Sequence, residues 1–281
     1  MRILILDTIH GGRVLAEYLS RSGHDVDCID IYRHSDGISE SEAHLRRYDL
    51  VGCPVHVDPD LPLLSEISAP VVSHHQIVRW LLKDGLAGRQ VIEITGALGK
   101  STTAAALAYL LPGPGLLHTS AGLVRYPDRE KIARYSITPA SLLCASEMIP
   151  EGGWFIGEIS VGFCGTGKLG ILTSGKDYPV ASGKKSAFGI KRESSHLLPV
   201  LVPPDVELLH ARCTRVTDLV SVDGDACSYR YQGIDGSFSN PLFRLAGYKT
   251  PLMLACAAAL LLGFSPERLS GFRALPGRME M

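Results

Sequence analysis

No apolar run in this 281-residue chain is long enough to cross a bilayer. The longest, Leu252 to Phe264, falls short of the roughly 20 residues a spanning helix needs and reads as a core helix. Charge of one sign is also missing. The 28 Lys and Arg nearly balance 29 Asp and Glu, and no basic cluster marks a nucleic-acid face. There is no C-x-x-C pair. Seven cysteines (28, 53, 144, 164, 213, 227 and 256) are scattered and odd in number, which argues against a disulfide framework or a zinc site. Free thiols in a reducing cytoplasm fit better. The opening MRILILDTIHGG reads as a strand and a turn, not a signal peptide. No G-x-G-x-x-G follows that strand, so a dinucleotide site would lack its fingerprint, although Asp30 stands where a ribose-binding acid would. Repeats and low-complexity segments are absent. What remains, 46% hydrophobic and 20% charged, is ordinary globular composition with room for two domains.

Residues 1–88 alternate strand and helix and imply a Rossmann-like parallel sheet. Expected strands are Ile3–Leu6, Asp25–Ile31, Asp49–Cys53 and Ala69–Ser73; expected helices are Arg13–Arg21, stopped by Gly23, and Gln76–Lys83. Asp84-Gly85-Leu86-Ala87-Gly88 is the best linker, leaving 89–281 as a second α/β domain. There, Trp154 to Ser160 and Leu169 to Thr173 read as strands and Ser141 to Met148 as a helix; Tyr126 to Tyr135 is polar. The stretch 196–245 suggests hairpins, including Thr217–Val222 and Ala226–Tyr231. A helix follows over Leu252 to Leu262, and Ser265-Pro266-Glu267 looks like the start of a last one.

Val91 to Leu111, VIEITGALGKSTTAAALAYLL, carries the strongest signal. An apolar strand runs into Gly96-Ala97-Leu98-Gly99-Lys100-Ser101-Thr102, and an Ala/Leu helix leaves it. Strand, glycine turn and helix make a phosphate loop. Glycines let N–H groups converge, the helix start adds unpaired donors, Lys100 reaches the outer phosphates, and a Ser101 or Thr102 hydroxyl suits Mg²⁺. A glycine turn with an incidental lysine is the plain alternative. Gly162 to Lys168 fits G-x-x-x-x-G-K by count, but Leu169 follows and opens a strand, so it lacks the helix start a phosphate needs.

The loop is shorter than usual, and Thr95-Gly96-Ala97-Leu98-Gly99-Lys100-Ser101 resembles the T-G-T-x-G-K-[ST] of the Mur ligase family, with Ala97 for a Thr. Four further motifs follow in the family's order: Thr138-Pro139, Glu158-Ile159-Ser160, Leu172-Thr173-Ser174 with Asp177-Tyr178, and Leu275-Pro276-Gly277-Arg278-Met279-Glu280, similar to P-G-R-x-E. The resemblance implies ATP at Thr95 to Thr102 and Arg278, Mg²⁺ at Ser101 and Glu158, and Lys100, Glu158 and Arg278 in catalysis. Tyr178 replaces a metal-binding His, while Lys249 and Thr250 replace the family's His-Asn before its Ala-rich helix. Gly183 to Phe188 resembles the segment holding a carbamoylated lysine, with Lys184 the best fit; two exposed lysines is the plain reading.

The chain ends where the family's C-terminal, amine-binding domain would begin. One branch of the family needs no such domain, because it activates a carboxylate on a nickel tetrapyrrole and closes a carbocyclic ring within the same molecule. That branch implies a nickel-tetrapyrrole carboxylic acid as partner, lying against His10, Gly11, Gly12, His74 and His75. The same histidines also read as loop residues without a role. A truncated amide-forming ligase for a peptidoglycan or pseudomurein precursor and a nucleotide-binding regulator stay open. So does oligomeric state, a homodimer included.

Overall fold

The computed structural model describes residues 1–86 and 88–275. The first sheet orders β1 (Arg2–Leu6), β2 (Asp25–Ile29), β3 (Leu50–Cys53) and β4 (Val71–Ser73) as β2-β1-β3-β4, all parallel, with Ile3 facing Val26 and Leu50. Helix α1 (Arg13–Arg21) buries Leu15, Ala16 and Leu19 and ends at Ser22, whose N–H returns to Tyr18 and Leu19 carbonyls. Short helices α2 (Glu40–His44) and α3 (Pro62–Glu66) complete the crossovers. Asp30 accepts from the Tyr32 and Arg33 N–H groups and from Ser35, so it builds the turn after β2.

Helix α4 (His74–Leu81) starts two residues before the expected Gln76. The reason is a capping box: Ser73 Oγ accepts from the Gln76 N–H (3.1 Å) and Gln76 Oε1 from the Ser73 N–H (2.7 Å). His74 and His75 are therefore buried residues of a helix's first turn, not loop histidines.

The second sheet begins at β5 (Gln90–Thr95), which leads through the loop to α5 (Lys100–Leu110). Next come β6 (Gly115–Thr119), β7 (Gly122–Tyr126) and β8 (Glu130–Ala133), then α6 (Ser141–Ser146), β9 (Trp154–Glu158) and β10 (Leu169–Leu172). The polar stretch after Tyr126 thus carries an edge strand. The small hairpin β11 (Pro179–Val180) and β12 (Lys185–Ser186) precedes α7 (Ala187–Ser194), β13 (Val200–Val202) and β14 (Cys213–Arg215). Among the described residues the sheet runs β14-β13-β10-β5-β9-β6-β7-β8, with only β7 running against the rest. β5 lies between β9 and β10, so the loop leaving it is flanked by both strand ends.

A separate antiparallel sheet, β15 (Val220–Asp223), β16 (Ala226–Tyr231) and β17 (Ile234–Ser239), rests beside α8 (Ala246–Leu261). That helix is apolar on every side and buried from Pro251 to Leu260, as a core helix should be. Each fully buried leucine contributes roughly 1.5–3 kcal/mol. The expected last helix is instead a short tight turn, Glu267–Gly271, where Asn240 Nδ2 donates to the Leu269 and Phe272 carbonyls at 2.6 and 3.0 Å. No helix among the described residues is long and apolar enough to cross a membrane.

The two parallel sheets share one core. Ile3, Ile5, Leu15, Leu19, Ile77 and Val78 pack in the same buried cluster as Leu142, Leu143, Phe155 and Ile159. The segment Gly162 to Lys168 wraps a protein carboxylate. Buried Glu93 accepts from the N–H groups of Cys164, Gly165, Thr166 and Gly167 and from Thr166 Oγ1, at 2.7–3.1 Å.

Candidate active site

Gly96 ends β5 at φ 146°, and a Cβ there would lie 2.1 Å from Thr173 Oγ1, so no other residue fits. Gly99, also at positive φ, caps α5. Between them the Ala97 and Leu98 N–H groups converge on Ser174 Oγ, at 3.1 and 3.3 Å. Lys100 Nζ folds back to the Gly96 carbonyl at 2.8 Å, holding the amine over the loop. Ser101 and Thr102 are buried in the first turn of α5, and Thr95 is buried at the end of β5. Converging N–H donors, a helix start and a lysine fit a polyphosphate. Glu158 is buried at the end of β9, in register with Ile94 one residue before Thr95. A carboxylate and a hydroxyl on either side of the loop are the hard oxygen donors that suit Mg²⁺. Beside the loop, Leu98, Gly99, Thr102, Ser174, Tyr248 and Pro251 line a cavity of about 670 Å³, within the range of small-molecule sites. Thr250 also lines it, while Lys249 is exposed.

A second cavity, about 270 Å³, lies between the sheets. His10, His56, His74 and His75 line it from one side, Thr138, Pro139 and Ser160 from the other. His75 Nε2 donates to the Ser160 carbonyl at 3.0 Å. Gly11 allows the close approach: a Cβ there would meet Thr138 Oγ1 at 2.7 Å, and one on Gly12 would strike the Asp7 carbonyl. These glycines thus shape the wall. Asp7, fully buried, accepts from the Ile9 and His10 N–H groups and from His10 Nδ1 at 2.7 Å, with His56 Nε2 at 3.4 Å. Burial would raise its pKa, but the nearby His56 imidazole and the hydrogen bonds from His10 outweigh that and lower it. Burial pushes the imidazoles of His74 and His75 down to about 3 and about 4, so both are neutral at physiological pH.

No family model matches the chain. It is 30% identical to the coenzyme F(430) synthetase of Methanosarcina acetivorans, over 99% of this chain and 73% of that protein. The chain belongs to the coenzyme F(430) synthetase family. The Methanocaldococcus jannaschii synthetase is 26% identical over 68% of this chain and 49% of its own length. Among solved structures, MurF from Acinetobacter baumannii superposes with TM-score 0.52 at 12% identity, covering 95% of this chain and 69% of that one. A pseudomurein peptide ligase type C from Methanothermus fervidus gives 0.50 at 14% identity, covering 99% and 72%. The fold is that of the Mur ligases. As a member of the coenzyme F(430) synthetase family the chain is an enzyme, a ligase.

Two lysines that follow β10, Lys184 and Lys191, sit in different surroundings. Lys184, half-exposed on the hairpin, pairs with Asp58 at 2.7 Å and Asp60 at 2.6 Å, across to the loop after β3. Its Nζ thus fastens the two halves of the molecule and is held by acids rather than aimed at the phosphate loop. Lys191, in α7, was not singled out by sequence. It is buried, its Nζ lacks a hydrogen-bond partner among the described residues and sits 4.6 Å from the Tyr178 ring centroid. Burial, and then the charge of Lys100, lower its pKa to about 8. Asp177 accepts from the Phe188 N–H and Ser186 Oγ, anchoring the start of α7. Spacing gave no signal for Lys191; Ser186, Asp177 and Tyr178 fix the start of the helix that carries it. His56 also went unmarked, because it matters through Asp7, which is far away in sequence. Arg278 lies outside the described residues.

Proposed function

We propose that the chain uses ATP and Mg²⁺ to activate a carboxylate on a nickel tetrapyrrole, then closes a carbocyclic ring within that molecule, the step that gives coenzyme F(430). In this reading 1–88 forms the substrate-binding unit and 89–281 the ATP-binding unit. One observation carries it: a glycine–lysine loop beside buried Glu158, in a chain of the coenzyme F(430) synthetase family. Thr95 to Thr102 cradle the phosphates, and the nucleoside enters the cavity by Tyr248. Ser101 and Glu158 would hold Mg²⁺, which would neutralise charge on the transferring group. The carboxylate attacks the γ-phosphorus in line, ADP leaves, and Lys100 and Arg278 stabilise the charge on the phosphoryl oxygens. The cavity at His10, His74 and His75 is smaller than a macrocycle and takes its reacting edge, with the rest in solvent.

The carbamoylated lysine of this reading is Lys191 rather than Lys184. Its amine adds CO₂ and releases a proton, leaving an anionic carbamate. That change turns repulsion between Lys100 and Lys191 into attraction.

The experiment is incubation with ATP, Mg²⁺ and the open-ring nickel tetrapyrrole acid, followed by mass spectrometry. A product lighter by one water, with phosphate released, is expected, and Lys100→Ala should abolish it. ATP binding with no mass change overturns the tetrapyrrole assignment.

A further inference from the structure

Closing a carbocycle forms a carbon–carbon bond, so the attacking carbon must lose a proton. We propose that His10, oriented by Asp7, is the general base that takes it. This inference rests on the function proposed above and adds the group that its second step lacks.

The argument is geometric. A carboxylate only accepts, so the 2.7 Å contact places the proton of His10 on Nδ1 and leaves the Nε2 lone pair for the cavity. Asp7 is fixed by two backbone N–H groups and holds the ring in one tautomer. Rings of Tyr32 and His56 meet His10 edge-on, at 5.5 and 5.1 Å between centroids. A carboxylate–imidazole pair of this kind is the usual orienting device for a histidine base. His74 and His75 are poorer candidates, because burial keeps them from taking up a proton. The cavity also adjoins the strand end that carries Glu158. Ser160, on its far wall, lies two residues beyond Glu158.

The step balances. The carbon attacks the acyl phosphate carbonyl, and its C–H electrons become available as His10 Nε2 takes the proton. The C–O bond to phosphate breaks, and phosphate leaves with that pair. The imidazolium is then paired with the ionised Asp7. Overall, carboxylic acid, C–H and ATP give the cyclic ketone, ADP and phosphate.

The test separates activation from closure by adding hydroxylamine, which traps the acyl phosphate as a hydroxamate. For His10→Gln, ring closure should fall by roughly 10²–10⁴-fold, the usual worth of a general base, and far more than hydroxamate formation, which carries only any loss in binding. Imidazole should restore part of the closure in His10→Ala. Wild-type enzyme with the non-hydrolysable analogue AMPPNP in D₂O should exchange the proton on the attacking carbon, and His10→Gln should not. Asp7→Asn, a change at a positioning residue, should lower kcat for closure with KM little changed. Unchanged closure in His10→Gln overturns the proposal. So does a parallel loss of hydroxamate and product, which would make His10 a binding or folding residue. Stoichiometric Zn²⁺ binding that disappears in His56→Ala would overturn it too, by making the trio a metal site. No hydroxamate from wild type would instead remove carboxylate activation itself, and the base with it.

Discussion

At the scale of single residues, Lys191 sets the sharpest expectation. A buried amine with pKa near 8 is mostly neutral above that pH and increasingly protonated below it. Only the neutral amine adds CO₂, so turnover of enzyme prepared free of CO₂ should rise with added bicarbonate, and the dependence should steepen as pH falls below 8. Lys191→Ala should ignore bicarbonate and lose on the order of a hundredfold in turnover, the scale of one lost electrostatic contact to a transferring group. A bicarbonate response that survives in Lys191→Ala, or that follows Lys184→Ala instead, would disprove the assignment. The sequence marked Lys184 and not Lys191, because spacing along the chain says nothing of burial. Lys184 is taken by Asp58 and Asp60, two acids on the other sheet's loop. The loop residues Gly96 to Thr102 were legible because their chemistry is local: glycine torsions, a lysine and a helix start lie within one turn.

Among the elements, Gly162 to Lys168 is the informative case. Its glycines and N–H groups form an anion-binding nest, and Glu93 fills it. Glu93 lies on β5, so the nest ties the strand feeding the phosphate loop to the segment after Glu158. Glu93→Gln keeps the shape but turns an amide N–H₂ toward backbone donors. The expected cost is about 3 kcal/mol, from charge-assisted hydrogen bonds lost inside the protein. Thermal unfolding should fall by several degrees; a midpoint within a degree of wild type would show the nest to be dispensable. The β5–loop–α5 unit was readable from composition, whereas the capped start of α4 and the turn at Glu267–Gly271 were not. In the first the Ser73–Gln76 box outweighed the apolar periodicity, and in the second a distant Asn240 donates to the carbonyls.

For the whole molecule, pH should act through the packing between the sheets. His74 and His75 have folded pKa values of about 3 and about 4, well below the ordinary 6.5. Between those values the unfolded chain binds protons that the folded one refuses. Stability is therefore complete above pH 6.5 and declines as pH falls, by about 1.4 kcal/mol per unit for each histidine. The urea midpoint should drop between pH 7 and 5, before most carboxylates titrate, and His75→Gln should show about half that slope. A midpoint that stays level between pH 7 and 5 would mean that neither ring is held neutral.

Because Ile3, Leu15 and Ile77 on one side and Leu142, Phe155 and Ile159 on the other are one oily seam, the molecule cannot be cut into working modules. Each half would carry away a raw face. The gap between them then resembles a slot milled in a single block more than a jaw. If the guest is the disc proposed above, it presents its rim to that slot, and discrimination among guests falls to what is written on the rim.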